Sequence, residues 1–179
     1  MICIRRTLPE DLPRVQNANL TNLPENYSMK YYYYHLISNP NVSFLAETED
    51  KKVVGYCLVK VEKDNNKKAY ATLTSISVLR SYRRLGIATK LLRAAENSLI
   101  EQYQCEYFEL HVRESNKPAR HLYEQTIGFK IHVVEKKYYA DGEDGIIMRH
   151  YLNASNLLNK VASSPALESW IENHPVPSE

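Results

Sequence analysis

The 179-residue sequence predicts an α/β domain with helices packed on a mixed sheet. Three observations point there. The length suits one hydrophobic core. Apolar residues alternate in some stretches, as in half-buried strands, and recur at helical spacing in others. In chain order these stretches read strand, two helices, three strands, helix, strand, helix, two strands, which fits neither a repeat protein nor a bundle.

Ile2 and Ile4 alternate with polar neighbours and open the first strand. Thr7, Leu8, Pro9 and Glu10 then read as a helix start. Thr7 is the cap, Pro9 needs no amide donor in a first turn, and Glu10 holds the reciprocal capping position. This helix is expected over 8–19. Leu23 to Tyr27 (LPENY) breaks the periodicity; Ser28 caps a second helix carrying Tyr31, Tyr32, Tyr33 and Tyr34, and Asn39-Pro40 closes it. Strands follow over 42–48, 53–62 and 70–78. Ile87, Leu91, Leu92, Ala95, Leu99 and Ile100 share one face of a long helix. A strand over 107–112, a helix over 117–126 ended by Gly128, and strands over 129–136 and 146–152 complete a domain spanning 1–152. Residues 153–179 are expected to be a tail, either partly disordered or with short helices around Leu167, Trp170 and Ile171, broken by Ser163, Ser164 and Pro165.

The formal net charge of +2 gives no global field that calls for nucleic acid or an acidic membrane. Cys3, Cys57 and Cys105 form no CxxC pair and fit reduced thiols better than a disulfide framework or a zinc site. No apolar run suits a signal peptide or a membrane span, so an intracellular soluble protein is the expectation.

The sharpest chemical feature is Arg83-Arg84-Leu85-Gly86-Ile87-Ala88, placed between a β-branched strand and the long helix. Helix N-terminal amides point outward with partial positive charge and suit a pyrophosphate. Gly86 permits close backbone approach, Ala88 leaves the first turn uncrowded, and Arg83 and Arg84 add charge. The pattern is neither a Walker turn nor a GxGxxG fingerprint. A solvated basic turn is the plainer reading of so short a motif.

That turn resembles the Q/R-x-x-G-x-G/A pyrophosphate motif of the GCN5-related N-acetyltransferase superfamily. LPENY at 23–27, MKYY at 29–32, LHVR at 110–113, Ser115-Asn116, HLY at 121–123 and KYYADGED at 137–144 resemble, in order, the catalytic subunits of NatA-type (Ard1-like) N-terminal acetyltransferases. The resemblance spans about residues 1–152. It implies a mixed, mostly antiparallel central sheet flanked by helices, with acetyl-CoA as cosubstrate and no metal. It implies cofactor contacts from Ile76, Ser77 and Val78 along a splayed strand, from Arg83, Arg84, Leu85, Gly86, Ile87 and Ala88 at the pyrophosphate, and from Asn116 and Tyr123 near pantetheine and the thioester. Asn116 as a helix cap and Tyr123 as a core aromatic are the plainer alternatives.

For the acceptor, the resemblance implies a peptide slot walled by Leu23, Pro24, Glu25 and Tyr27 on one side and by Tyr138 and Tyr139 on the other, organised by Arg113. Glu25 is the first candidate for a base, His111 the second, and Tyr123 the acid that meets the departing thiolate. It implies a large helical-repeat auxiliary subunit as partner, with the Tyr31 to Tyr34 helix as a contact, ribosome association through that subunit, and nascent polypeptide N-termini as substrates. Direct contact with nucleic acid or membrane is not expected; the location is cytoplasmic, with a nuclear pool as a further option. Small first residues (Ser, Ala, Thr, Gly, Val, Cys) are expected in the complex and acidic ones for the free chain. Acetylation of internal lysine, or a catalytically weak protein-binding subunit, are the rival readings.

Elementary acid–base chemistry separates the two amines. An α-amine is about 10–20% neutral at pH 7 and a lysine only about 0.04%, a roughly 300-fold difference in attacking species. A modest base reached through water therefore suffices for an N-terminus.

Overall fold

The computed structural model describes residues 1–152; the expected tail over 153–179 lies outside the described residues. Seven strands form one sheet ordered β1-β2-β3-β4-β5-β7-β6. They are β1 (Ile2–Arg6), β2 (Phe44–Thr48), β3 (Val53–Lys63), β4 (Ala69–Val78), β5 (Tyr107–Arg113), β6 (Lys130–Glu135) and β7 (Gly145–Tyr151). All neighbours run antiparallel except β4 and β5. The mixed, mostly antiparallel sheet is thus as expected.

Alternate residues of a strand face opposite sides, and each side carries its own core. Tyr56 and Leu58 of β3 join Leu12, Val15 and Ala18 of α1 (Leu12–Asn22) and Tyr32 and Leu36 of α2 (Met29–Ser38). Cys57 and Val59 join the other core, which holds Ile87, Leu91, Leu92 and Ala95 of α3 (Ile87–Ser98) at the spacing the sequence shows. A π-helical turn, Leu99–Tyr103, extends α3. The helix expected over 117–126 is a short α4 (Lys117–His121) that widens into a second π turn, Leu122–Ile127, and ends at Gly128 with φ 103°.

The first helix does not start as the sequence suggests. Thr7 is buried and its N–H donates to the Ser43 carbonyl at 3.0 Å, so it belongs to the sheet rather than to a cap. Asp11, not Glu10, takes the Leu8 N–H at 2.8 Å, and a 3-10 turn (Pro9–Asp11) precedes α1, which runs on to Asn22 rather than stopping at Asn19. The reason is Arg5. Its Nη1 and Nη2 donate to Asp11 at 2.6 and 2.8 Å while Nε and Nη2 donate to Glu47 at 2.9 and 3.0 Å. A buried carboxylate must be paired, and the Asp11 pairing decides the turn geometry. At α2, Ser28 holds the cap position through its carbonyl, which accepts from Tyr31 N–H at 3.0 Å, and not through its hydroxyl.

Arg5 holds the Asp11 carboxyl down at about 2, with the Leu8 amide and Arg14 helping. The folded value lies below the ordinary unfolded one of about 3.9, so the stabilisation is complete above that value and is lost as pH falls from about 4 towards 2. Asp11→Asn is expected to cost about 3 kcal/mol at pH 7 and to flatten the acid limb of stability, followed by urea titration at stepped pH. An unchanged acid limb would sink this assignment.

Candidate active site

The site exists because two strands part. β4 and β5 pair only where Ala71, Thr72 and Leu73 face Phe108, Glu109 and Leu110. Across β3, Leu58 pairs with Ser75 but Val59 pairs with Leu73, so Thr74 is an extra, bulged residue. Its hydroxyl donates to the Leu58 carbonyl at 2.9 Å. A bulge bends its strand and reverses its facing pattern. Leu73 packs in the α3-side core, and after the bulge so do Ile76 and Val78.

The same shift sets the backbone. Leu79 N–H donates to the Val54 carbonyl at 2.8 Å. Antiparallel alternation then makes Ser77 with Tyr56, and Ser75 with Leu58, the pairs that exchange hydrogen bonds. Ile76 and Val78 therefore turn their N–H and C=O groups to the edge β5 has left. Ser77 differs: its backbone serves β3, and its buried hydroxyl lacks a hydrogen-bond partner among the described residues.

That open edge leads to the basic turn. After a 3-10 turn (Arg80–Tyr82), Arg84 has φ 65° and Gly86 φ 72° before α3 begins. Paired left-handed residues beside a helix start form a concave row of amides suited to an anion. A Cβ on Gly86 would meet no protein atom within 4 Å, so within the chain itself the glycine is required by its positive φ. Ile87 is buried, so only its backbone is available to a ligand, whereas the Leu85 side chain is exposed. Arg83 Nε donates to the Val78 carbonyl at 3.0 Å, tying the turn to the open edge.

Below the parted strands lies a cavity of about 410 Å³ that brings together Leu23, Glu25, Tyr27, Ile76, His111 and Arg113 with Asn116, Tyr123, Tyr138 and Tyr139. Pro24 is in the bend but not in its lining. Arg113 is the electrostatic hub. Nη1 donates to Asp141 at 2.7 Å and Glu143 at 2.9 Å, Nη2 donates to Glu25 at 3.2 Å, and the guanidinium lies 4.0 Å from the Tyr139 ring centre. It thereby joins both walls of the slot. Tyr27 stacks on Tyr31 at 4.5 Å, and the Tyr27 hydroxyl makes a long 3.5 Å bond to the Thr74 carbonyl. His111 stacks on Tyr138 at 4.7 Å and lies 3.6 Å from Glu135.

The phenols are kept protonated. Burial pushes Tyr27 and Tyr139 up to about 12, with Arg113 opposing the rise at Tyr139, and burial drives Tyr123 well above its ordinary value. Tyr123 packs against Phe129 at 5.9 Å and still lines the cavity, so it is both core aromatic and site residue. Asn116 likewise has two roles: its Oδ1 caps α4 by accepting from Ala119 N–H at 3.3 Å, and it lines the cavity.

Sequence reasoning gives no role to several residues the site uses. Thr74 makes the bulge and Gly145 reads as a turn, neither with a signal of its own, whereas Asp141 and Glu143 lie within the KYYADGED motif but read individually as loop polarity. A Cβ at Gly145 would lie 2.9 Å from Cβ, Cγ and Cδ1 of Tyr138, so the glycine is what lets that wall seat.

Residues 12–129 match the acetyltransferase (GNAT) family. The chain belongs to this family. It is 49% identical over 152 residues to the catalytic subunit NAA10 of the N-terminal acetyltransferase A complex of Arabidopsis thaliana, covering 85% of this chain and 79% of that protein. It is 48% identical over 149 residues to the N-alpha-acetyltransferase daf-31 of Caenorhabditis elegans, covering 83% and 82%. Chaetomium thermophilum Naa20, crystallised with a bisubstrate analogue, superposes with a TM-score of 0.74 at 26% identity, covering 84% of this chain and 86% of that one. The protein is a GNAT-type, acetyl-CoA-dependent acetyltransferase closely related to Ard1-like enzymes. Its open strand edge and amide turn fit that cosubstrate. Among the described residues no group of His, Cys, Asp and Glu is arranged to hold a metal ion, and no helix is long and apolar enough to cross a membrane.

Gly145→Ala is expected to displace Tyr138 and raise the KM of the GNAT enzyme for its amine acceptor about tenfold, leaving the acetyl-CoA Kd within about twofold. Steady-state kinetics and calorimetry check this; a weakened acetyl-CoA affinity with unchanged acceptor KM would contradict it.

Proposed function

We propose that this enzyme acetylates the α-amino group of protein N-termini as the catalytic subunit of a NatA-type complex. The observation that carries the reading is the Arg113 clamp. It holds Glu25 between two aromatic walls, at the end of a cavity whose other end is the open β4 edge. A chain terminus threads such a slot with its amine first. The names of the relatives support the same acceptor and an auxiliary subunit.

In this mechanism Ile76 and Val78 extend their backbone groups to the pantetheine arm, and the 84–88 amides with Arg84 hold the pyrophosphate. Glu25 takes a proton from the incoming ammonium, directly or through water, with His111 the second candidate. The neutral amine attacks the thioester carbonyl, a backbone amide near Val78 stabilises the oxyanion, and the carbon–sulfur bond breaks to release thiolate. Tyr123 is a weaker acid than a free phenol, and a thiol has an ordinary value of about 8.5. Complete transfer from Tyr123 is therefore uphill, and its role narrows to donating a hydrogen bond to the leaving sulfur. The proton released by the amine supplies the thiol.

Three carboxylates around Arg113 leave the mouth of the slot negative. This favours a cationic or neutral first residue, in keeping with Ser, Ala, Thr, Gly, Val or Cys. An acidic first residue, the expectation for the free chain, has to take Arg113 from Glu25. Tyr32 is buried in the core and Tyr31 packs on Tyr27, so the auxiliary helical-repeat subunit is bound partly through Tyr33 and Tyr34, the exposed half of the Tyr31 to Tyr34 run, and then holds the Leu23 to Tyr27 bend in its Glu25-in position. Nascent chains at the ribosome, in the cytoplasm, are the natural source of such termini.

The test is acetyl transfer to Ser-, Ala-, Asp- and Glu-starting peptides, with α-amine-blocked and lysine-blocked controls, by the free chain and the reconstituted complex. Blocking the α-amine is expected to abolish turnover and blocking lysines to leave it. Glu25→Gln is expected to lower kcat about 100-fold, in the range of general-base loss, and Tyr123→Phe about tenfold. Turnover that follows lysine instead would overturn the proposal.

A further inference from the structure

Asn19 is a polar residue where an apolar one belongs. It has no exposed surface and continues the buried row of Leu12, Val15 and Ala18 in the last turn of α1. Burying an amide is unfavourable unless its hydrogen bonds are replaced, so its partners matter. The Asn19 backbone carbonyl accepts from Leu23 N–H at 2.9 Å and its Nδ2 donates to the Glu25 carbonyl at 3.1 Å, while its Oδ1 has no hydrogen-bond partner among the described residues. One residue thus holds the first and third residues of the bend.

The same Nδ2 donates to the Tyr56 hydroxyl at 2.9 Å, and that hydroxyl shares a hydrogen bond of 2.8 Å with Ser75 Oγ. Tyr56 is 1% exposed on β3, and Ser75 lines the cavity beside the Thr74 bulge. The path from Glu25 to the acetyl-CoA strand is therefore a continuous set of hydrogen bonds, part-buried at the Glu25 carbonyl and buried from the Asn19 amide through the Tyr56 phenol to the Ser75 hydroxyl. Burial raises the Tyr56 phenol above its ordinary value, which keeps it protonated and able to donate to Ser75. Each group in the set orients the next.

We propose that Asn19 and Tyr56 are positioning residues that lock the main chain at Glu25 to the bulged part of β4, and so fix the distance between the Glu25 carboxylate and the thioester carbonyl. This rests on the reading that Glu25 serves the incoming amine. Neither side chain touches substrate. They act by preventing the bend from drifting relative to the strand that carries the acyl donor, and a drift of about 1 Å is enough to cost a rate factor of up to about 100.

The test is a double-mutant cycle on the full chain, using Tyr56→Phe, Asn19→Ala, Glu25→Gln and the paired variants. It measures kcat/KM for whichever amine the wild type acetylates, acetyl-CoA Kd by calorimetry, and the urea midpoint. Tyr56→Phe keeps the ring and removes the shared hydroxyl, so it decides the matter if Asn19→Ala does not fold. Expected is a fall of about tenfold in kcat/KM with acetyl-CoA Kd within about twofold, and less than about twofold further loss when Tyr56→Phe is added to Glu25→Gln. Losses that multiply fully in both backgrounds, or acetyl-CoA affinity that falls in step, would show a general structural role and overturn the proposal. A wild type that acetylates lysine removes the N-terminal reading but leaves the cycle decisive, since the coupling is then read on that amine.

Discussion

One extra residue in one strand organises the molecule. Without the Thr74 bulge, β4 would keep its register and continue alongside β5, and the sheet would close over the space where chemistry occurs. The bulge bends the strand, turns Ile76 and Val78 into the α3-side core, and leaves their backbone groups facing an unpaired edge. A sheet edge is normally a hazard because it invites another strand. Here it is sheltered between the two halves of the sheet, where only a narrow, extended ligand can reach it. The basic turn continues this edge, with Arg83 joining the two through the Val78 carbonyl.

Charge is handled differently in two parts of the molecule. Around Arg5 the carboxylates of Asp11 and Glu47 are almost wholly buried, and the pairing serves the fold by deciding how the chain enters α1. Around Arg113 the carboxylates of Glu25 and Asp141 are substantially exposed, and Glu143 is partly so. Solvent weakens each of those contacts, so this cluster holds its geometry less firmly than the one around Arg5. The Tyr139 ring stacked on the guanidinium gives Arg113 a contact that does not depend on its carboxylates.

Much of this was legible in the sequence because it depends on periodicity and on short motifs. Ile87, Leu91, Leu92 and Ala95 announce α3 by spacing, and Gly86 marks the turn that precedes it. The bend at Leu23 to Tyr27 and the loop at Tyr138 and Tyr139 do meet at one cavity. What the sequence does not display depends on register and on contacts distant in the chain. Nothing in Ala71-Thr72-Leu73-Thr74-Ser75 distinguishes the bulged threonine, since the bulge is defined by what β3 places opposite it. Glu10 reads as the better cap because local patterns do not reveal that Arg5 recruits Asp11. Gly145 is a small residue only because a tyrosine seven positions earlier folds back onto it.

Gly86 shows how specific such a requirement can be. The space beside it is empty, yet its backbone sits at φ 72°, a region L-residues enter at a cost. Within the chain itself the restriction is one of handedness and not of room. A D-alanine at this position would satisfy the turn and meet no other protein atom, whereas its L-enantiomer would strain the same backbone while occupying no more volume.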